Sequence, residues 1–586
     1  MVVGIDLGTT NSLVSVWRNG RAELIPNSFG EYLTPSVVSF DSDGTVYVGK
    51  TAQERLITHP EVTFREFKRQ MGTECQFVAY GKSYRPQELS ALILRQLRSD
   101  AEAFLGEPVE EAVISVPAYF DDKRRGATRN AGLLAGLKVE RLINEPSAAA
   151  LANHIQNMNL DELFVVFDFG GGTLDVSLVD AFDNMIEIQG VAGDNHLGGR
   201  DFNEVIAIDM CAKSELPWGK ISPQQKELLY REAEQVKMKL SEQNEVETTI
   251  RMEGMEYQYS LANQQLIDLS SGLFRRMNQV LRRLMNDAQI TVEDVSKVLM
   301  VGGSSKMPVV RHFVASLFDK KLCNDSNPDE IVCMGAGTLS GIKERMSEIK
   351  DIVILDICPF SLGVELRGDI MSPIISRNQS LPCSRVERYV TVYDGQNKIE
   401  LNIFQGEHRN ASSNLKLTSY VIDIPPRPKG EVFIDVRFSY DINGIFDIDV
   451  ECPMAVVQIH DRLGNGGGLD SGELERRRQE LEHMKIHPRE LEQTKYVLEK
   501  AERLYVECNE QQKRLLEIAL GQFQDILKLQ DLQAAKKAYV KFEIQLAMIE
   551  KTLFRFAEFD AGIWEEMMQE DSEQNETSSD DGSEKH

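Results

Sequence analysis

The chain has 586 residues, 42% of them hydrophobic, which is enough for several globular domains and excludes a wholly disordered protein. Lysine and arginine number 65 against 92 aspartates and glutamates, so the net charge of −27 disfavours nucleic acid as a partner. No apolar run approaches the roughly 18 residues of a membrane span, the first residues contain no secretory leader, and the eight cysteines form no CxxC pair. We therefore expect a cytoplasmic protein without a membrane partner.

Residues 1 to about 350 alternate short β-rich runs with helical stretches, which is typical of α/β domains. Strands are predicted at Val2–Ile5, Leu163–Phe169 and Val295–Val301, and each leads into a turn that contains glycine. No internal sequence repeat is evident in this region.

Residues Gly44–Thr51 (GTVYVGKT) match the Walker A pattern of a P-loop. Their interior is β-branched and aromatic, however, and such residues favour an extended strand over backbone N–H groups curled around an anion. The Asp43-Gly44 pair indicates a hairpin turn. We therefore interpret this segment as a β-hairpin and not as a phosphate-binding loop.

Three other turns have the composition of phosphate-binding loops. Asp6–Asn11 (DLGTTN) and Asp168–Thr173 (DFGGGT) each follow a predicted strand and combine an aspartate with glycine and threonine. The glycines let the backbone approach an anion, the hydroxyls can bind phosphate oxygens, and the carboxylates can face a hydrated Mg²⁺. The third turn, Val301–Lys306 (VGGSSK), could flank the nucleoside. Together the turns predict two half-domains around one nucleotide.

Residues 351–356 (DIVILD) place four aliphatic side chains between two aspartates. Two interpretations remain open at this point. The segment is either a buried strand or an interdomain linker that docks in one state and is released in another.

From residue 357 to 463 the hydrophobic pattern changes to a period of two, as in Ile399, Leu401 and Ile403. This alternation predicts an antiparallel β-sandwich, with a hairpin turn at Asn443-Gly444. A glycine-rich break at 464–468 precedes a helical region, residues 470–564, in which Leu516, Ala519 and Phe523 share one helical face. Residues 565–586 are acidic and serine-rich, which predicts a disordered tail.

A collinear series of motifs runs through the first 460 or so residues. It comprises DLGTTNS at 6–12, VPAYF at 116–120, NEPSAAA at 144–150, DFGGGTLD at 168–175, GDNHLGGRDF at 193–202 and NPDE at 327–330. In these motifs the chain resembles the 70-kDa heat-shock chaperones, the DnaK-type proteins, and its short helical region resembles their bacterial heat-shock-cognate C branch. The resemblance implies a two-lobed, actin-like α/β ATPase domain (1–350), a linker (351–356), a β-sandwich that binds peptide (357–463) and an α-helical lid (470–564).

The resemblance also implies roles for residues of the ATPase domain. Four carboxylates would arrange Mg²⁺, K⁺ and the attacking water, with the first and third reaching Mg²⁺ through water: Asp6, Glu145, Asp168 and Asp175. Lys68 would support the γ-phosphate, and the phosphates would contact Gly8, Thr9, Thr10, Asn11, Gly170, Gly171, Gly172 and Thr173. The nucleoside of ATP or ADP would lie against Glu234, Lys237 and Ser241 of one helix and against Gly302, Gly303, Ser304, Lys306 and Asp329.

The implied partners are unfolded or extended peptides and a J-domain co-chaperone. The residues that match the family's peptide cleft are Val364, Tyr389, Val392, Ile399, Leu401, Ile434 and Val436, although sandwich core is an equal alternative for Ile434 and Val436. Pro117 and Arg125 match the pair that relays the nucleotide state, and Arg141 and Asp356 match part of the J-domain contact. The expected function is ATP-dependent binding and release of polypeptide, coupled through the linker.

Several features depart from the family pattern. Arg367 stands where an apolar residue usually arches over the peptide, which puts the usual hydrophobic preference in question. The segment between Ser241 and Asp268 is short where exchange factors engage relatives, so we expect no classical exchange factor. Met238 and Lys306 occupy the positions of two arginines that sandwich the adenine.

Two other protein classes share parts of this pattern. An actin-like filament protein shares the ATPase core, and a sugar or acetate kinase shares the phosphate turns. Neither class accounts for the β-rich region that follows the linker, which is why the sequence favours a chaperone.

Overall fold

The computed structural model describes residues 1–156, 161–216, 218–252, 255–318, 322–323, 327–346, 349, 351–441, 446–462, 471–482, 484–486, 489–528 and 532–553. Three predicted features lie outside these residues: the Asn443-Gly444 turn, the glycine-rich break at 464–468 and the acidic tail at 565–586.

The described residues form 28 β-strands and 14 α-helices. The strands before the linker are β1 (Val2–Asp6), β2 (Asn11–Arg18), β3 (Arg21–Leu24), β4 (Thr34–Pro35), β5 (Val37–Phe40), β6 (Thr45–Val48), β7 (Thr63–Arg65), β8 (Phe77–Ala79), β9 (Lys82–Tyr84), β10 (Glu111–Val116), β11 (Lys138–Asn144), β12 (Glu162–Phe169), β13 (Leu174–Phe182), β14 (Met185–Asp194), β15 (Glu245–Met252), β16 (Met255–Ala262), β17 (Val298–Val301) and β18 (Leu322–Cys323). The later strands are β19 (Val353–Leu355), β20 (Leu362–Leu366), β21 (Ile370–Ile375), β22 (Cys383–Val390), β23 (Gln396–Gln405), β24 (Leu415–Arg427), β25 (Phe433–Tyr440), β26 (Phe446–Cys452), β27 (Val457–Arg462) and β28 (Lys485–Ile486).

The helices are α1 (Lys50–Thr58), α2 (Pro86–Leu105), α3 (Asp122–Leu134), α4 (Glu145–Gln156), α5 (Gly199–Lys213), α6 (Pro223–Lys239), α7 (Asn263–Leu269), α8 (Ser271–Ala288), α9 (Pro308–Leu317), α10 (Ile331–Lys343), α11 (Ser471–Glu482), α12 (Arg489–Glu507), α13 (Glu510–Lys528) and α14 (Leu532–Leu553). Within the described part of the chain, every helix is too short or too polar to cross a bilayer.

Two sheets of the first 350 residues share one topology. The first runs β11-β10-β1-β2-β3, with β4 beside β2, and the second runs β18-β17-β12-β13-β14, with β19 at its edge. In each sheet the central strand, β1 or β12, has a parallel neighbour on one side and an antiparallel hairpin partner on the other. The fold is therefore repeated although the sequence is not, and the two predicted phosphate turns leave equivalent strands.

The Gly44–Thr51 segment is a hairpin, as predicted. Its interior is β6, which pairs antiparallel with β5, and Gly44 adopts a φ of 87° in the turn between them. Lys50 begins α1, and its ammonium lies 2.7 Å from a carboxylate oxygen of Glu31. Lys50 is therefore paired with a carboxylate and does not belong to the three turns that have the composition of phosphate-binding loops.

The residues after the linker form two antiparallel sheets that share one core. One sheet runs β21-β20-β23-β24 and the other β22-β25-β26-β27. Alternate side chains of facing strands are buried together, among them Val364, Ile403, Val436 and Phe438. The period-two pattern thus produces the predicted sandwich, and the whole described chain combines α/β, antiparallel β and helical regions.

The aliphatic segment 351–356 contains a short strand at a sheet edge. β19 pairs parallel with β14, with Val353 opposite Met185 and Ile354 opposite Ile186. Ile354 is 4% exposed and packs in the core around the second sheet, whereas Val353 is 43% exposed. The segment is therefore docked, with only one side of the strand facing the core.

Polar contacts join the sandwich to α3. The Asp122 carboxylate accepts hydrogen bonds from the Tyr440 hydroxyl at 3.0 Å and from the Gln405 side-chain amide at 2.8 Å. The Gln405 amide oxygen accepts in turn from the Asp122 backbone N–H at 3.1 Å. Arg377 forms a second link, a 2.6 Å ion pair with Asp287 of α8. These contacts fix the sandwich against α3 and α8.

The segment after the sandwich also contacts α2, β6 and the core around the first sheet. Arg477 of α11 forms a 2.7 Å ion pair with Glu88 of α2, and Leu481 is buried in the core around the first sheet. β28 then pairs parallel with β6, with Lys485 opposite Thr45. The start of the predicted lid is thus held by both side-chain and backbone contacts.

The chain divides into two compact units, of which the larger comprises Met1–Glu247 and Tyr259–Tyr496. The described part of the smaller unit contains the end of α12 with α13 and α14. There Phe523 and Phe542 stack with ring centroids 4.7 Å apart, and Glu550 pairs with Arg503 at 2.5 Å. Leu516, Ala519 and Phe523 are buried, which confirms the predicted helical face.

Candidate active site

Four carboxylates and one lysine meet where the central strands of the two sheets end. Asp6 ends β1, Asp168 lies near the end of β12 and faces Asp175 of β13, and Glu145 begins α4. Lys68 lies in a short 3₁₀ turn, Phe67–Gln70, and its ammonium is 2.7 Å from a Glu145 carboxylate oxygen. The fold therefore brings together residues that are up to 169 positions apart in the sequence.

Burial and mutual repulsion hold these carboxylates at unusual pKa values. Burial, then the charge of Glu145, raises the pKa of Asp6 to about 6 and that of Asp175 to about 7. The pKa of Asp168 is raised well above its usual value by burial and by Glu145. Burial alone would lower the pKa of Lys68, but Glu145 and Asp6 outweigh it and the pKa is raised.

Among the described residues no three carboxylates are arranged to ligate a metal ion directly, so the cluster fits a hydrated divalent cation that is held through water. Four carboxylates share one ammonium, so the cluster has an excess of negative charge in a buried place, which a hard cation with oxygen ligands would neutralise. Neighbouring groups already orient two of the acids: the Ser115 hydroxyl donates to Asp6 at 2.6 Å and the Tyr119 backbone N–H to Asp175 at 2.9 Å. Asp6 and Asp168 are the residues that would hold hydrated Mg²⁺.

The two predicted phosphate turns face each other closely. A Cβ atom added to Gly171 would lie 1.9 Å from the Thr10 hydroxyl oxygen, and one added to Gly172 would lie 2.7 Å from the Thr9 methyl carbon. A side chain at either position would force the opposite turn to shift, so glycine allows the two turns to approach this closely. The turns thus form one cradle, which also includes Gly8, Asn11, Gly170 and Thr173.

The predicted nucleoside residues lie on the second sheet's side. The Lys237 ammonium donates to the Gly199 carbonyl at 3.2 Å, and a Cβ on Gly199 would lie 2.1 Å from the Ser304 hydroxyl oxygen. Gly302, with a φ of 80°, approaches the Phe169 carbonyl, and Gly303 approaches the Asp329 carboxylate. Lys237, Ser304 and the third glycine turn are therefore close together, as the resemblance implies for a nucleoside pocket.

Three residues expected near the nucleoside, Ser241, Met238 and Lys306, have positions or contacts that the sequence does not indicate. α6 begins at a capping box, in which the Ser222 hydroxyl accepts from the Gln225 N–H at 3.2 Å, and it ends at Lys239. Ser241 therefore lies beyond the helix that carries Glu234 and Lys237, which corrects the prediction of one continuous helix. Met238 is 58% exposed, and Lys306 forms an ion pair with Asp329.

The predicted relay residues form a continuous hydrogen-bonded path. Arg125 donates to the Asn144 side-chain oxygen at 2.6 Å and to the carbonyls of Phe120 and Ala118. The Asn144 amide donates at 2.9 Å to Asp356, the last residue of the linker segment. Asn144 directly precedes Glu145 in the sequence. The residue that binds the linker carboxylate is therefore the chain neighbour of a residue in the carboxylate cluster.

Pro117, the other predicted relay residue, and Arg141, which is predicted at the J-domain contact, lie beside this path. The Pro117 carbonyl accepts from the Phe120 N–H at 3.1 Å. Burial lowers the pKa of Arg141, and the charge of Asp356 opposes that change. Asn144 and Ser147 both donate to Asp356, a role that the sequence does not indicate although the NEPSAAA motif contains both residues.

The predicted peptide residues fall into three groups by burial. Four of them are core residues of the sandwich: Val364, Leu401, Ile434 and Val436. Tyr389 and Ile399 are half-buried against that core, and Val392 is exposed. Arg367, at the predicted arch, is exposed at the end of β20. The half-buried and exposed members are the ones with surface to offer a peptide.

A model of the Hsp70 protein family matches residues 2–568. Members of this family are ATP-dependent chaperones that bind ATP or ADP with Mg²⁺, unfolded polypeptides and J-domain co-chaperones. The match spans nearly the whole chain, including the two glycine turns, the linker segment and the sandwich. This chain therefore belongs to the Hsp70 family.

Proposed function

We propose that this chain hydrolyses ATP at the carboxylate–lysine cluster and uses the cycle to bind and release unfolded or extended polypeptide at the sandwich. The observation that carries the proposal is the path from Glu145 through Asn144 to Asp356, together with the docked β19. The residue next to Glu145 is thus hydrogen-bonded to the end of the linker segment, which leads into the β-sandwich, and this connection supports the proposed coupling.

The residues can divide the chemistry as follows. Phosphoryl transfer to water depends mainly on positioning and charge neutralisation. Thr9, Thr10 and Thr173, with the glycine N–H groups, would hold the phosphates, and Lys68 would place a positive charge beside the transferred group. Glu145 fixes the Lys68 ammonium at 2.7 Å, and Asp175, with its raised pKa, can accept a proton from water near neutral pH. Mg²⁺, when bound, supplies further neutralisation of phosphate charge.

The proposal also includes domain boundaries at residues 350, 356, 463 and 564, and a place for the chain in the heat-shock-cognate C branch. It further includes the binding of K⁺, a cytoplasmic location and a J-domain partner that contacts Arg141 and Asp356. The short segment after Ser241 supports spontaneous nucleotide exchange without a classical exchange factor.

One experiment separates this function from the two alternatives. Phosphate release from ATP is measured with and without an unfolded peptide, and with and without acetate or hexose as acceptor. We expect turnover in water alone that increases with peptide. Turnover that requires a small acceptor would favour a kinase, and turnover that follows polymerisation and ignores peptide would favour a filament protein.

A further inference from the structure

Arg69 lies against the second phosphate turn but outside the carboxylate–lysine cluster. It follows Lys68 in the chain, and a Cβ atom added to Gly172 would lie 3.0 Å from the Arg69 Cγ and Cδ atoms. Its side chain is only 10% exposed, and among the described residues its guanidinium has one polar partner, the Asp201 carboxylate at 3.5 Å. The other oxygen of Asp201 accepts from the Gly198 N–H at 2.7 Å. The described part of the protein therefore uses few of the five N–H donors of this nearly buried group.

Arg124, in the first turn of α3, has a second guanidinium with few partners. Its side chain is 14% exposed, and its one ion pair among the described residues is with Asp121 at 3.7 Å. That carboxylate also accepts from the Arg124 backbone N–H at 2.9 Å, so it serves as the N-cap of the helix. The guanidinium otherwise lies over the Phe120 ring, 5.5 Å from its centre. A distance of 3.7 Å is too long for a hydrogen bond, so the ion pair with Asp121 leaves the N–H donors of Arg124 available to a ligand.

His196 lies between these two arginines and solvent. The residue is exposed, in the loop from β14 to α5. Two residues later the same loop reaches the second phosphate turn, because a Cβ atom added to Gly198 would lie 2.5 Å from the Gly172 nitrogen. Burial lowers the pKa of His196, and the charges of Arg124 and Arg69 lower it further. Both guanidinium groups are therefore close enough to act on the imidazole.

The other charged groups near His196 neutralise each other. The Arg276 guanidinium donates to Asp194 at 2.6 Å, and the second oxygen of Asp194 accepts from the His196 backbone N–H at 2.9 Å. These two opposite charges act on the His196 imidazole in opposite directions. The positive charge that is available to a ligand at this place is therefore that of Arg69 and Arg124.

We propose that Arg69, Arg124 and His196 form an outer phosphate site, which receives inorganic phosphate after ATP is cleaved and before the phosphate leaves the protein. The proposal rests on the proposed ATP hydrolysis and adds a separate place for one of its products. Guanidinium groups match the geometry of phosphate oxygens and can bind them with two parallel N–H donors. The phosphate is produced beside the turn that Arg69 contacts, and His196 lies on the way from that turn to solvent.

Binding of inorganic phosphate to the full-length chain tests the site while a non-hydrolysable ATP analogue fills the nucleotide site. Isothermal titration calorimetry should then show one bound phosphate per chain. Arg124→Gln should weaken the affinity for phosphate about ten- to a hundredfold, the range for lost hydrogen bonds to a charged group. Lys123→Gln is the matched control, because it removes one positive charge from the same turn of α3 and should leave the affinity nearly unchanged.

The imidazole of His196 provides a readout that a merely structural role of Arg124 would not move. A phosphate beside the ring raises the pKa of His196, because it opposes the effect of the two arginines. The NMR titration of the His196 Cε1–H should therefore move to higher pH when phosphate is added to the analogue-bound chain. This phosphate-induced shift should be smaller in Arg124→Gln, and His196→Asn identifies the resonance.

Phosphate release after a single turnover tests what the site does in the cycle. A fluorescent phosphate-binding protein reports release, and quenched samples report cleavage. Release should lag behind cleavage in the wild-type chain. The lag should shorten in Arg124→Gln while the cleavage rate stays the same, because a weaker site loses its ligand faster. Unchanged cleavage also shows that the variant is folded around the nucleotide.

The proposal fails on either of two results. No phosphate binding beside the ATP analogue would show that phosphate binds only where the γ-phosphate lies. Equal phosphate affinity in the wild-type chain and Arg124→Gln would remove the arginine from the site. Absence of ATP cleavage in the wild-type chain would instead contradict the proposed function, and the calorimetric measurement does not depend on cleavage.

Discussion

Lys68 is buried among carboxylates and donates to Glu145 at 2.7 Å, so its charge is already in place before phosphoryl transfer. Removing one preorganised charge typically costs about 10²–10³ in rate. We therefore predict that Lys68→Ala lowers single-turnover ATP hydrolysis by that factor while the circular dichroism spectrum is unchanged. Lys50→Ala is the matched control, because Lys50 lies in the Gly44–Thr51 hairpin, which matches the Walker A pattern only in sequence, and pairs with Glu31. Near-normal hydrolysis by Lys68→Ala would remove that residue from the mechanism.

Met238 and Lys306 stand where the resemblance expects two arginines around the adenine. Met238 is 58% exposed, and Lys306 is held by Asp329, so neither presents a planar charged group. Each lost stack is worth about 0.5–1 kcal/mol, so nucleotide binding should be weaker by about five- to thirtyfold.

The variant Met238→Arg with Lys306→Arg should slow the release of labelled ADP and leave its entry rate unchanged. Slow release from the wild-type chain, or no slowing in the double variant, would refute the argument.

The sequence alone predicts the residues of the site better than their partners. Asp6, Asp168 and the glycine turns can be recognised because strand, aspartate and glycine are adjacent in the chain. The hydrogen bond from Ser115 to Asp6 spans 109 positions and the one from Asn144 to Asp356 spans 212. Such pairs are created by strand order, which no local pattern contains.

At the scale of elements, the side-chain exposures in β19 indicate that Ile354 is the linker residue whose burial holds the segment against the sheet. Ile354 is 4% exposed and Val353 is 43% exposed, because successive side chains of a strand point to opposite sides. Burying a lone carboxylate costs several kcal/mol, so Ile354→Asp should prevent docking whereas Val353→Asp should not. Basal ATP hydrolysis should persist in both variants.

Stimulation of hydrolysis by peptide measures the coupling in these two variants. It should disappear in Ile354→Asp and remain in Val353→Asp. Normal stimulation of Ile354→Asp would show that β19 is merely an edge strand of the sheet.

The contact between α3 and the sandwich should depend on pH. Burial raises the pKa of Asp122 to about 6, and the hydrogen bond from Tyr440 opposes that rise. In an undocked sandwich Asp122 would return towards its ordinary pKa of about 4, so the docked state binds the proton more tightly. Its contribution to docking is therefore present at low pH and lost as the pH rises from about 4 to 6, which weakens docking about tenfold between pH 5 and 7.

Single-molecule energy transfer between dyes on α2 and β26 measures this equilibrium in the presence of ATP. The docked fraction should fall from pH 5 to pH 7 in the wild-type chain. Asp122→Asn keeps the shape of the side chain without its charge and should remove the pH dependence. An unchanged pH dependence in that variant would place the titrating group elsewhere.

The elements themselves follow the sequence where one rule dominates. Alternation predicts β23 and β25 because one side of each strand is buried, and Leu516, Ala519 and Phe523 mark the buried face of α13. The predicted strand Val295–Val301 is shorter, since β17 begins only at Val298 after a 3₁₀ turn at Val292–Asp294. The two equivalent turns predict two half-domains, but the common strand order of the two sheets does not follow from the sequence, because the sheets share a topology and not residues.

At the scale of the whole molecule, the larger unit contains both the carboxylate cluster and the sandwich, joined by β19 and by Asp122. An isolated ATPase would have no need of these contacts. We therefore predict reciprocal coupling: nucleotide changes the affinity for peptide, and peptide changes the affinity for nucleotide by the same factor.

The most direct test is the release of a fluorescent unfolded peptide, followed by stopped-flow after ATP is added to the peptide-bound chain. Coupling between two sites usually corresponds to about 5–150-fold in affinity, so ATP should speed release within that range in the wild-type chain and in Val353→Asp, but not in Ile354→Asp. A chain that binds no unfolded peptide, or that releases it at the same rate with and without ATP, would contradict the account.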